Sequence, residues 1–229
     1  MSSRRDFLNA GALAALAPTI AATPAPLPSP SSKPSPEPSF PPLAFDLAGF
    51  DAATSKPAQH RHMFASRTLD GGLVLDAIQT TLNAYASIGT TVSSVATAAV
   101  LYHGLSIMLA FDDAIWRDLL VPVAAKLPGA AKTDFAKYTN AKGNPFRKPG
   151  SPDDPSMAGL AAGGTLFFVC NYAARGFAEF MAHANGLAPA AVYDRMSKNM
   201  LPGASLVPAG VWAVHALQDR HYTYEQVTM

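Results

Sequence analysis

Between residues 73 and 87 the apolar side chains Leu73, Val74, Ala77, Ile78, Leu82 and Tyr85 recur at spacings of three and four, while Asp76, Gln79, Thr80 and Asn83 fall on the other side. That period predicts an amphipathic helix. Two segments show the opposite pattern. Residues 95–102 are nearly all apolar and end at His103-Gly104, and residues 165–170 read Thr-Leu-Phe-Phe-Val-Cys. Short continuous apolar runs of this kind suit strands buried on both faces, which belong to parallel sheets. A first short strand is expected at 60–65, with Gly71-Gly72 breaking the chain before the helix. Asp112-Asp113 can cap a helix running through Trp116 to Leu120, with Pro122 beyond it. Asn171 can cap a helix over 172–184. A helix over 189–199 with Pro near its first turn, a brief strand at 205–207, a helix over 209–219 and an edge strand at 222–227 complete the series. Strands and helices alternate, so the expected fold is α/β: a small open, mostly parallel sheet with helices on both faces.

Two stretches carry no such period. Residues 126–164 are rich in Lys, Pro, Gly and Asp and are too long for a plain connector, which makes them a lid, a binding segment or a locally disordered loop. A short helix near 156–161 is expected to interrupt them. Residues 24–42 alternate Pro with Ser, Ala and Lys, a composition that cannot bury apolar surface and favours extended polyproline geometry. The reading is a tether, with a Pro-motif ligand as the alternative.

Ahead of the tether, Ser3-Arg4-Arg5-Asp6-Phe7-Leu8 is followed by Gly11-Ala12-Leu13-Ala14-Ala15-Leu16-Ala17. Paired arginines before a short apolar stretch resemble a twin-arginine export signal, and the stretch is too short to span a bilayer. The other possibility, a short N-terminal amphipathic helix, fits the paired arginines less well. The chain therefore divides into a signal at 1–25, a Pro/Ser-rich linker at 26–45 and one α/β domain at 46–229, with a periplasmic or otherwise exported destination. Cargo of that pathway travels folded, so folding or cofactor loading finishes inside the cell. The sequence identifies no particular cofactor.

Charge is sparse, at 14% of residues and a formal net +1. No electrostatic footprint for a polyanion exists, which argues against nucleic acid as a partner. No run of about eighteen apolar residues follows the leader, so no span is expected in the mature chain. The single cysteine excludes an intramolecular disulfide. Packing or assembly must supply the stability.

In open α/β sheets the ligand crevice lies at the carboxyl ends of the strands, which singles out His103 and Cys170. A thiol beside a helix N-terminus has its thiolate stabilised by the partial positive charge there. Free cysteine is also among the most buried residue types, and Cys170 as simple core filling stands beside the reactive reading. His60 and His62 lie two apart on one strand face, where two imidazoles can share a metal, but no third ligand is fixed by spacing. They read as ordinary histidines, and no metal ligand is assigned. His183, His215 and His221 assemble no site. There is no phosphate-binding P-loop, no GxGxxG after a strand, no GxSxG elbow and no HExxH.

Six segments in order are similar to DsrE/DsrF-like proteins: Val100-Leu101-Tyr102-His103-Gly104, Leu109-Ala110-Phe111-Asp112-Asp113-Ala114-Ile115-Trp116, Phe167-Phe168-Val169-Cys170-Asn171-Tyr172-Ala173, Leu201-Pro202-Gly203-Ala204, Val207-Pro208-Ala209-Gly210-Val211 and Tyr222-Thr223-Tyr224. The resemblance covers most of 70–227. It implies a small α/β fold assembled as a homo-oligomer, a trimer or hexamer, with a cysteine at a strand end that carries or relays sulfur as a persulfide. Cys170 is the matching residue, and Asn171 and His103 would shape its pocket. A sulfur-donor or redox protein would be the partner. The exported destination and the 126–164 insertion both depart from the cytoplasmic relay pattern. Two other functions fit the same residues: a non-catalytic module holding a small ligand or cofactor, and an oligomeric structural subunit.

Overall fold

A computed structural model of the chain describes residues 40–127, 129–148 and 155–227. The export signal expected over 1–25, and residues 26–39 of the expected linker, lie outside the described residues. Those described all belong to the second of two compact units, Pro38–Met229. No helix among them is long and apolar enough to cross a membrane.

Five strands form one sheet: β1 (His60–Ser66), β2 (Val95–Leu101), β3 (Leu166–Cys170), β4 (Ala204–Val207) and β5 (Thr223–Val227). Their order is β4-β3-β2-β1-β5 and every neighbouring pair is parallel. The fold is thus an open parallel α/β sheet, as the alternation of apolar runs predicts. Eight helices surround it: α1 (Leu47–Thr54), α2 (Leu73–Ser87), α3 (Asp113–Ile115), α4 (Gly129–Phe135), α5 (Met157–Ala162), α6 (Asn171–Asn185), α7 (Pro189–Lys198) and α8 (Gly210–Gln218).

Strand pleating divides the core into two layers. Phe64, Ala99, Leu101, Phe167 and Val169 point to one face and meet α2, the segment after β2, α6 and α7. Met63, Ala98, Val100 and Phe168 point to the other and meet Phe50 of α1 and Ala213, Ala216 and Leu217 of α8. The distribution follows from handedness. Steps from β1 to β2, β3 and β4 all move the same way across the sheet, so right-handed crossovers put their helices on one side. The return from β4 to β5 moves the opposite way and puts α8 on the other.

The stretch expected to be a long loop is partly ordered. It contains α4 and α5, the latter capped by Ser156, whose Oγ accepts from Gly159 N–H at 3.1 Å. A cluster of rings holds it down: Trp116 lies 5.4 Å from Phe135 and 5.9 Å from both Tyr138 and Phe146. Trp116 Nε1 donates to Met108 O at 2.8 Å, so its polar end is satisfied within the core. Asn144 is the polar counterpart. Its buried side chain donates to Leu109 O at 2.9 Å and Phe111 O at 2.7 Å and accepts from Phe146 N–H at 2.8 Å. Asp134 of α4 reaches the turn after β1, accepting from Leu69 N–H at 2.6 Å and Asp70 N–H at 2.8 Å. Burial pushes its carboxyl above the usual carboxylate range in spite of those two donors. Phe146 also lies against Gly72, where φ is +89° and a Cβ would sit 2.8 Å from the ring, so glycine is required twice over.

At the far edge, β5 is tied to β1 by a directed chain of hydrogen bonds. Thr223 Oγ1 donates to Arg61 O at 3.0 Å, which leaves it to accept from His62 Nδ1–H at 2.8 Å. His62 Nε2 then accepts from the Tyr85 hydroxyl at 2.8 Å. His60 stacks on the same Tyr85 ring at 4.4 Å. Both histidines are thus accounted for by the strand edge and α2, and among the described residues no group of three His, Cys, Asp or Glu side chains could hold a metal.

Two measurements test these contacts. Desolvation, with the neighbouring His60, lowers the pKa of His62 below its ordinary value, against a smaller opposing effect of Glu225. The unfolded chain therefore takes up the proton first. Stability is fully present above the unfolded pKa of about 6.5 and is lost as pH falls below it. Urea unfolding between pH 7 and 5 is expected to show that loss, and His62→Gln to flatten it. Asn144→Ala strands two buried carbonyls and one N–H, and is expected to cost about 2–4 kcal/mol by urea titration, while exposed Lys142→Ala stays within about 0.5 kcal/mol.

Candidate functional site

A parallel sheet opens a crevice where connections from neighbouring strands leave for opposite faces. Here that point lies between β3 and β4, because β3 continues into α6 on one face and β4 into α8 on the other. Cys170 and Val207 are register partners at its carboxyl end. The first turns of both helices flank the gap and carry exposed apolar side chains, Tyr172 at 74% and Val211 at 60%. The start of α8 is pressed onto the residue after β2: a Cβ on Gly210 would lie 1.9 Å from Tyr102 Cβ, so no larger residue fits.

Cys170, not Asn171, is the N-cap of α6. Its backbone is extended (φ −64°, ψ 117°), and its Sγ accepts from Ala173 N–H at 3.4 Å. The sulfur therefore takes the place an Asp or Ser oxygen usually holds, at the positive end of a fifteen-residue helix. The residue is 6% exposed, so the thiol is nearly covered.

Asn171 becomes the first helical residue and turns inward, 5% exposed. Its Oδ1 accepts a short hydrogen bond from the Tyr193 hydroxyl of α7. Tyr193 is itself stacked edge-on against Phe40 at 5.5 Å. The Arg175 guanidinium lies 5.7 Å from the Phe40 ring and 5.8 Å from that of Tyr193, and donates to Pro41 O at 2.9 Å. Sequence reasoning missed this group, because Tyr193 stands 22 residues from Asn171 and nothing local couples them.

His103 sits just beyond β2, at the same sheet edge, and is exposed. Its carbonyl accepts from Ser106 Oγ at 2.7 Å. No hydrogen bond among the described residues joins its imidazole to Cys170. The structure thus brings Cys170 and Asn171 together as helix neighbours and places His103 on the adjoining strand end.

A concavity of about 560 Å³ opens beside the β4 edge, bounded by Pro41–Phe45, α1, α7 and the starts of β3 and β4. Phe45, Phe50 and Phe168 are among its walls, and Cys170, Asn171 and His103 are not.

No family model matches the chain, and no curated protein matches it. Among solved structures, it is similar to a protein of unknown function from Methanobacterium thermoautotrophicum, with 17% identity, 74% of this chain and 100% of that chain covered, and a TM-score of 0.38. A likeness of that size carries no argument about function.

Removing the Tyr193 hydroxyl leaves a buried acceptor on Asn171 without changing the rings. Tyr193→Phe is expected to lower unfolding free energy by about 1–2 kcal/mol, measured by urea titration.

Proposed function

We propose that this is an exported sulfur-handling protein whose working group is Cys170, in the manner its resemblance to DsrE/DsrF-like relay proteins implies. One observation carries the reading: the only cysteine of the chain caps α6 at the switch point of the sheet, with its sulfur on a helix N–H. A helix N-terminus favours an anionic sulfur, whether thiolate or persulfide.

The step is a transpersulfidation. The Cys170 thiolate attacks the outer sulfur of a low-molecular-weight or protein persulfide donor, R–S–SH. The donor's S–S bond breaks, a new S–S bond forms on Cys170, and R–S⁻ leaves and takes up a proton from solvent. Sulfur is transferred with no net oxidation. Asn171 and His103 shape the approach, and the covered sulfur is reached by local opening at the β3–β4 edge. Trimeric or hexameric assembly belongs to the same reading, as does export through the twin-arginine route.

Intact-mass measurement of protein purified from the exported compartment, before and after reductant, tests it. The expected result is an adduct of one or more sulfur atoms, removed by reductant and missing from Cys170→Ala. An unmodified thiol that takes up no sulfur from a persulfide donor contradicts it.

A second reading is favoured by a different observation. The concavity at the β4 edge has the volume and aromatic walls typical of a ligand site, whereas Cys170 is nearly covered. Under that reading the domain is a binding module and the cysteine is part of its packing.

A further inference from the structure

We infer that the β4 edge is a docking slot for an extended peptide, which would add to the sheet as a sixth strand. The inference rests on the binding-module reading and names its ligand class.

Backbone geometry supplies the first half of the argument. In a parallel ladder, alternate residues of a strand turn both of their polar groups towards one neighbour. Phe167 N–H donates to Gly203 O at 3.1 Å, which assigns Gly203, Ser205 and Val207 to the β3 side. Ala204 and Leu206 consequently face outward. Ala204 N–H is used locally, donating to Leu201 O at 3.1 Å. Three groups are left on the open edge: Ala204 C=O, Leu206 N–H and Leu206 C=O. No hydrogen bond among the described residues reaches them. Their spacing is what an added strand pairs with.

The shape of the concavity supplies the second half. Phe168 and Ser205 line it from the α8 face of the sheet, whereas Leu206, Tyr193 and Met200 line it from the α7 face. It therefore straddles the plane of the sheet at the edge of β4, where the next strand would lie about 4.8 Å away. Side chains of an extended peptide alternate between the two faces, and here both are apolar. On one side they meet Phe45, Phe50 and Phe168, whose rings lie within 4.9 to 5.9 Å of one another in sequence. On the other they meet Leu206 and Met200. A volume of about 560 Å³ holds a few residues and no folded partner. A compact ligand without amides would use the rings and leave the edge groups unpaired, so a peptide fits the whole surface better.

Binding of a capped pentapeptide, Thr-Val-Phe-Val-Thr, to the full chain is the test, run beside the same peptide N-methylated at its three central amides. The expected result is saturable binding that slows hydrogen exchange of the Leu206 amide, with the N-methylated peptide weaker by roughly tenfold or more. Leu206→Pro removes one outward N–H at an edge position that tolerates proline, and is expected to weaken binding to a similar extent. Equal affinity for both peptides would overturn strand addition while leaving an apolar binding module in place. No binding at millimolar peptide would also overturn it, as would protection of the Leu206 amide that rises with protein concentration alone, since a second copy would then fill the slot. None of these outcomes depends on Cys170, so failure here and failure of the sulfur reading are separable.

Discussion

The direction in which the chain steps across its sheet decides where everything else can be. Right-handed crossovers force three successive connections onto one face. The single backward step, from β4 to β5, sends α8 to the other. That reversal creates one place where two neighbouring strands part company, and Cys170 and Val207 stand on either side of it. It also leaves β4 without an outer neighbour, because the chain turned back before laying down another strand there. The covered thiol and the open edge both follow from one topological event.

The insertion after β2 is fixed by different forces. Its rings surround Trp116, and its one fully used amide, Asn144, replaces the backbone pairing that an irregular segment lacks. Asp134 then ties it to the first turn after β1. Anchored at these points, the insertion packs over the carboxyl end of β1 and belongs to the α2 layer of the core. The β3–β4 gap is bordered instead by the first turns of α6 and α8.

Much of the fold was legible where the chemistry is local. The helix over 73–87 was read to its ends because its apolar stripe starts after two glycines and stops at a polar turn. The strand ending at Cys170 was legible from a run of bulky apolar residues. What escaped depended on distant partners or on competition between neighbours. Asparagine is the better helix cap by residue type, yet pairing of Cys170 with Val207 carries the strand one residue further and leaves the sulfur as the cap. Residues 47–54 were taken into the domain but not read as a helix, although Asp46 caps them through Gly49 N–H, because the Pro-rich stretch just before drew attention to breakers. Residues 104–110 form a buried 3₁₀ segment whose apolar run fits no regular period. The three open groups on β4 had no signature in the sequence, since strand order is what leaves them unpaired.

The central claim is that the β3–β4 gap is a place where solutes reach Cys170, and native-state alkylation tests it most directly. Iodoacetamide labelling of Cys170 is followed as urea is raised through the range where the protein stays folded. Access by local opening predicts a labelling rate nearly independent of urea in that range. Labelling that rises with urea as steeply as global unfolding would show the thiol to be a packed core atom and contradict the claim.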